Sequence, residues 1–323
     1  MLLRRRALLT MLALPSLARA QSFPDRPLRL IVPFAAGTSS DIQGRLVASR
    51  MTERLGQPII VENRAGGGGT VGAEVVAKAR PDGHTLLLGS NGPLTINPVL
   101  QPRLPYDVEA ELMPVVLLSR SPLTVTVRAD SPYRTLADLI AAARARPGAI
   151  TIGSSGQGSA THFLIEQFAA QAGIQFTHVP YRGSSQSVPD LIAGNVQVVM
   201  GEISTVVPTW RGGLTLILAT TGPTRSPLAP DMATLIEQGF PGLTGGSWAA
   251  LMATGGSPAA AIAALNAAAL AALADPAYRQ RQEEVGAQLS EEAVRTPEGL
   301  ATWLREERAR TRATAQRAGI RAE

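Results

Sequence analysis

Along this chain, short apolar runs alternate with stretches in which apolar residues recur at every third or fourth position. Residues 28–32 read as a buried strand; Ile42, Leu46, Val47, Met51 and Leu55 then fall at helical spacing, and residues 58–61 form a second apolar run. That succession is a βαβ unit. It continues with a helix over 72–79, a Pro81-Asp82-Gly83 turn and a strand over 85–88. The spacing predicts a parallel sheet covered by helices.

The same alternation restarts near Leu123. Strands over 123–127 and 150–152 flank a helix over 136–145; a helix over 159–170, a strand over 175–179 and a helix over 187–193 follow. Strands over 196–200 and 214–219 and a helix over 233–238 complete the second unit. The C-terminal part reads as helices over 258–274, 276–285 and 297–317, with Pro258 and Pro297 where a first helical turn tolerates proline. Two α/β units, then a strand and helices without a third sheet, predict two lobes: residues 21–121 plus 247–323, and residues 122–246. The Ser-, Pro- and Gly-containing segments 119–123 and 240–248 are the expected crossovers. Two connections permit a hinge between the lobes.

Composition narrows the chemistry. With 323 residues, 45% hydrophobic and 17% charged, the chain has ample material for a core, and its lack of cysteine excludes disulfides, thiol nucleophiles and Cys-based metal sites. Arg4, Arg5 and Arg6 precede an apolar run over 7–14, and Ala18-Arg19-Ala20 supplies small residues for cleavage, so residues 1–20 read as an export signal. The run is too short for a membrane span, and the Arg pair also suits twin-arginine export. Those twenty residues carry four of the 30 cationic residues and no acid, which leaves 26 against 25. The remaining chain is nearly neutral and predicts no nucleic-acid surface.

Several motifs lose to plainer readings. Gly67 to Gly72 match G-x-G-x-x-G, but no acid lies about 20 residues on, so the run reads as a flexible or closely packed βα turn rather than a dinucleotide loop. Lys78, the sole lysine, lacks a P-loop frame. His84, His162 and His178 have no ligand partners at metal spacing, and no cofactor is expected. Gly153-Ser154-Ser155-Gly156-Gln157 lacks the last glycine of a nucleophile elbow.

Two segments remain. Val32-Pro33-Phe34-Ala35-Ala36-Gly37-Thr38-Ser39-Ser40-Asp41 turns a strand end into a helix through small residues and hydroxyls. Gly153-Ser154-Ser155-Gly156-Gln157-Gly158-Ser159-Ala160-Thr161-His162 repeats the construction in the second half. Each brings unpaired backbone N–H groups, hydroxyls and a positive helix end to one place, which suits a carboxylate held without a buried arginine. Taken singly, Ser39, Ser40, Asp41 and Ser159 read equally well as helix caps; the matched pair points to a site. Asp41 is expected to order its loop or meet a ligand amine, since it would repel a carboxylate.

These two segments, with Arg45, Val61-Glu-Asn-Arg-Ala-Gly-Gly-Gly-Gly, Pro81-Asp-Gly-His-Thr-Leu, Leu104-Pro-Tyr-Asp and His178-Val-Pro-Tyr-Arg-Gly, resemble the Bug-type receptors, the extracytoplasmic solute-binding proteins of tripartite tricarboxylate transporters. The similarity runs in order from about Phe23 to the C-terminus. It implies an α/β, two-lobed periplasmic-binding-protein (Venus-flytrap, type II) fold with a small carboxylate held between the lobes. Carried onto this chain, the contacts would be Phe34, Ala35, Ala36, Gly37, Thr38, Ser39, Ser40 and Asp41, with Ser90 and Asn91, from the first lobe. Ser154, Ser155, Gly158, Ser159, Thr161, His162, Arg182, Gly183 and Glu202 would serve from the second. Thr38, Gln197 and Gly201-Glu202 depart from the usual Gly, Asp and aromatic–Asp.

The expectation is therefore a periplasmic monomer, not an enzyme, that captures an organic acid or amino acid and passes it to integral-membrane permease subunits. Two alternatives stand beside it: an exported hydrolase using Ser155 or Ser159 with His162, and a sensor that presents its ligand-bound form to a membrane signalling protein.

Overall fold

The structure, a computed structural model, describes residues 23–34, 36–181, 183–284 and 286–320, without the side chains of Ser39 and Ala318. The export signal expected over 1–20 lies outside the described residues.

The first part of the chain forms β1 (Leu28–Val32), α1 (Ser39–Leu55), β2 (Ile59–Asn63), α2 (Thr70–Ala77) and β3 (Thr85–Gly89), then a π turn (Gly92–Ile96) and two short helices, α3 (Asn97–Leu100) and α4 (Val108–Glu111). A long strand, β4 (Leu112–Arg128), leads to α5 (Leu136–Ala145), β5 (Thr151–Ser154), α6 (Ala160–Ala172), β6 (Thr177–Pro180), α7 (Ser184–Ala193), β7 (Val198–Glu202), α8 (Ile203–Arg211) and β8 (Thr215–Thr220). The chain returns through β9 (Gly246–Thr254) and ends with α9 (Ala259–Ala274), α10 (Pro276–Glu284), β10 (Gln288–Leu289) and α11 (Pro297–Ala318).

Strand order is β2-β1-β3-β9-β4-β7-β5-β6, with β8 and β10 also on β4. The βαβ units pair in parallel, as expected: β1 with β2 and β3, and β5 with β6 and β7. The fully parallel sheet does not occur, because β9 runs antiparallel to both β3 and β4, and β4 antiparallel to β7 and β8. The return of the chain to the first lobe causes this reversal.

β4 carries the two lobes. Its first part pairs with β9, ending at Ser121–Ser247 and Pro122–Gly246; its second part, from Leu123, pairs with β7 and β8. The segment 119–123, one of the expected crossovers, is strand throughout. The helix expected over 233–238 is a turn. Thr220 N–H donates to Ala233 O and Leu235 N–H to Thr220 O, so the backbone extends β8 by a bridge, and Leu235 is fully buried there. Tertiary pairing overrides the local periodicity.

The buried apolar residues sort the same way. Two clusters draw on residues 23–118 and 248–304, among them Leu30, Leu86, Leu251, Leu265 and Tyr278; two others draw on residues 123–243, among them Val125, Ile152, Phe168, Val199 and Val206. A small cluster of Ile96, Phe163, Ala315 and Ile320 joins α6 to α11. The Ala-rich α9 buries Ile262, Leu265, Ala268, Ala269 and Leu273 in the first core. Small side chains there let α9 lie close against α1 and β4.

Candidate ligand-binding site

Four helices begin at one cavity. Thr38 caps α1, its Oγ1 accepting from Asp41 N–H at 3.4 Å, and Ser159 caps α6, its Oγ accepting from His162 N–H at 3.3 Å. α7 starts after Gly183 and α8 after Glu202, neither with a side-chain cap. First turns leave N–H groups without intrahelical partners. Ser40, Thr161, Ser184, Ser185, Ser204 and Thr205, all in such turns, line a cavity of about 910 Å³ between the two cores. The aligned dipoles make this space favourable to an anion.

The first loop is shaped by Asp41. Its carboxylate accepts from Gly37 N–H at 2.9 Å, Arg45 Nε at 3.1 Å and Asn63 Nδ2 at 2.9 Å, and pairs with Arg45 Nη2 at 3.0 Å. Arg45, the Gly37 amide and Asn63 together hold its pKa down at about 2. With both oxygens engaged and the side chain buried, Asp41 stands behind the loop and presents Gly37, Thr38 and Ser40 to the cavity.

The glycine run Gly66 to Gly69 packs beside it. Asn97 Nδ2 donates to Gly67 O, Gly68 O and Thr70 Oγ1. Gly69 has φ 97°, and a Cβ there would lie 2.9 Å from Pro93 Cδ, so the run is a closely packed turn. Gly67 and Gly68 also reach the cavity wall. Asn91 is clamped to β9, Nδ2 donating to Gly246 O and Oδ1 accepting from Trp248 N–H. Ser90 Oγ and Trp248 Nε1, both from lining residues, are buried without a hydrogen-bond partner among the described residues.

In the second loop, Ser155 N–H donates to Thr161 Oγ1 at 2.8 Å, and Ser155 Oγ lies 3.1 Å from Ser184 Oγ, which accepts from Glu202 N–H. This chain of contacts ties the loop to the starts of α7 and α8. Behind it, His162 Nδ1 accepts from Gly158 N–H at 3.1 Å, and the ring stacks on His178 with centroids 4.0 Å apart and planes 5° apart. Burial, then the neighbouring His178, pushes His162 down to about 4; burial lowers His178 too. Both rings are neutral near pH 7. His162 also has Glu166 four residues on, at 3.7 Å, a pairing the sequence reading overlooked.

Of the expected contacts, Phe34, Gly37, Thr38, Ser40, Ser90, Asn91, Ser155, Gly158, Ser159, Thr161, Gly183 and Glu202 line the one cavity. Ala36, Asp41, Ser154 and His162 do not line it. Ala35 and Arg182 lie outside the described residues, as does the side chain of Ser39. Gln197 stands away from the cavity, its Oε1 accepting from Thr151 N–H at 2.9 Å. The reading missed Asn97, Ser184, Ser204, Ser247 and Trp248; the hydroxyls of 184, 204 and 205 follow strand ends and carry the signal already used for the two main loops.

Neither hydrolase arrangement forms. Ser155 Oγ meets Ser184, Ser159 Oγ donates to Gly156 O, and His162 Nδ1 is engaged by Gly158. The one close serine–imidazole contact among the described residues, Ser154 Oγ to His178 Nε2 at 2.6 Å, belongs to a serine with no exposed surface. No group of three or more metal-ligating side chains occurs among the described residues.

The family profile described as the tripartite tricarboxylate transporter family receptor matches residues 44–319. The chain belongs to that family. BugT of Bordetella pertussis is 36% identical over 248 residues, 76% of each chain. An R. palustris protein solved with adipate matches with a TM-score of 0.81 and 32% identity, covering 93% of this chain and 99% of that one. MatC from Rhodopseudomonas palustris, solved with bound malate, matches with a TM-score of 0.78 and 32% identity over 90% and 99%. Tricarboxylate transporter receptors and these neighbours are solute-binding proteins, not enzymes, and the fold is that of the periplasmic binding proteins.

Proposed function

We propose that this receptor is exported, captures a small carboxylate between a lobe of residues 21–121 plus 247–323 and a lobe of residues 122–246, and delivers it to integral-membrane permease subunits. The observation that carries the reading is the cavity shared by the loops after β1 and β5, into which four helix N-termini open. The carboxylate sits against the amides and hydroxyls of the loops at 37–40 and 155–161, with Ser90 and Trp248 offering buried donors. Charge-assisted hydrogen bonds of about 1.5–3 kcal/mol each, four or five together, exceed the ordering cost enough for roughly micromolar binding. The malate and adipate found in two relatives support the ligand class.

The test is calorimetry and thermal unfolding against mono-, di- and tricarboxylates and amino acids. A true ligand at a hundredfold excess over its Kd stabilises the fold by about 2.7 kcal/mol. Uptake of that ligand by cells carrying the permease genes, lost when this chain is deleted, tests delivery. A panel without binding overturns the reading.

A further inference from the structure

Glu202 is the one charged residue among the described residues that line the cavity. It ends β7 opposite Leu123 of β4, where β4 passes from one lobe to the other, and its Oε1 accepts from Ser247 Oγ of β9 across that passage. No cation pairs with it among the described residues. The charged groups on the surrounding elements are engaged elsewhere. Arg120 of β4 reaches Glu291 and stacks over Trp303, Asp190 of α7 accepts from Tyr181 Oη, and Arg211 of α8 donates to Leu228 O. Across the cavity Asp41 and Arg45 satisfy each other, and the two stacked imidazoles are neutral.

A carboxylate in the lining of a cavity otherwise built to hold an anion repels an anionic ligand group brought near it and attracts a cationic one. From this geometry we infer that Glu202 reads a ligand ammonium, so that the receptor selects zwitterionic, amine-bearing carboxylates over the same acids without the amine. The inference rests on the carboxylate reading above and deepens it. The ligand carboxylate lies on the loop amides, and its ammonium donates to Glu202, whose other oxygen partner is Ser247. Burial raises the free carboxyl to about 7; an adjacent ammonium favours its ionised form.

The test is calorimetry with matched pairs that differ only in the amine: L-aspartate with succinate, L-alanine with propionate, 4-aminobutyrate with butyrate. For the pair that binds, the amine-bearing member is expected to bind about ten- to a hundredfold more tightly at pH 8, as for a partly desolvated charge pair. In Glu202→Gln, which keeps an acceptor for Ser247, that preference collapses toward parity. It also narrows in the wild type as pH falls from 8 to 6. A merely structural role would shift the unfolding midpoint without moving the ratio. Equal or tighter binding of the amine-free member, or a preference kept in Glu202→Gln, overturns the inference while leaving the carboxylate reading intact. Binding of neither member of any pair, nor of any other carboxylate, overturns both.

Discussion

Replacing Asp41 by alanine removes the group on which the first loop is built. Three hydrogen bonds and an ion-pair contact with Arg45 Nη2 end on that carboxylate, and one of the hydrogen bonds, from Gly37, sets the loop that faces the cavity. Holding its pKa at about 2 instead of 3.8 corresponds to about 2.4 kcal/mol of stability at neutral pH. Arg45, however, is 54% exposed, so solvent screening reduces the expected loss to about 1–2 kcal/mol. A carboxyl whose pKa is depressed in the fold contributes fully above its ordinary value and loses that contribution as pH falls through the folded one. Urea unfolding of wild type and Asp41→Ala is therefore expected to differ by that amount at pH 7, with the gap shrinking from pH 4 toward pH 2. Because the loop must then be ordered by the ligand, affinity falls about tenfold, equivalent to about 1.4 kcal/mol. Equal midpoints at pH 7 together with equal affinities would refute this account. A gap that persists undiminished at the lowest pH would also refute it, by pointing to lost packing instead of lost charge.

Wild-type stability is expected to decline by about 3 kcal/mol as pH falls from about 6.5 to 4, because the unfolded chain takes up a proton that buried His162 refuses until about 4. His162→Gln should flatten that decline in denaturant titrations at stepped pH, and an unchanged slope in the variant would contradict the assignment. Gly158 has φ 67°, and a Cβ there would come within 3.3 Å of Leu100 Cδ1 from the opposite lobe. Gly158→Val is expected to cost about 1–2 kcal/mol in backbone strain and to abolish the ligand-induced rise in melting temperature; a full rise would place that loop outside the binding surface. Gln197→Ala removes the one oxygen that accepts from both Thr151 N–H and Thr151 Oγ1 and should cost about 1 kcal/mol with ligand affinity kept within about twofold. A tenfold change in affinity would show that position 197 communicates with the cavity.

Much of the architecture was legible because local signals agreed. The alternation of apolar runs and helical spacing located β1, α1, β5 and α5, and hydroxyl-rich helix starts located both loops; Ser159 caps α6 as expected, while the cap of α1 is Thr38 and not Ser39, Ser40 or Asp41. What escaped depends on distant pairing. Residues 115–119 of β4 are buried on both faces and show no alternation, and Thr234 adopts a bridge that only β8 can specify. Ser247 and Trp248 reach the cavity because β9, which follows the whole second lobe in sequence, pairs with β3 and β4. No spacing within the sequence brings residue 247 to residue 202. Conversely, His162, weighed as a hydrolase base, acts on the backbone of its own loop, as does Asp41, for which ordering its loop is one of the two expected roles.

The passage between lobes is a laddered ribbon, with Ser121 beside Ser247 and Pro122 beside Gly246, where even a methyl group on residue 246 would meet Ser121 O at 2.2 Å. Paired strands carry a right-handed twist whose size varies widely from pair to pair, so twist is a soft coordinate of such a ribbon. The two halves are thus coupled like the ends of a short torsion bar, and opening should wind one mouth past the other instead of spreading them apart. Paired spin labels at the outer rims would register that motion as a screw displacement, with the axis running along β4.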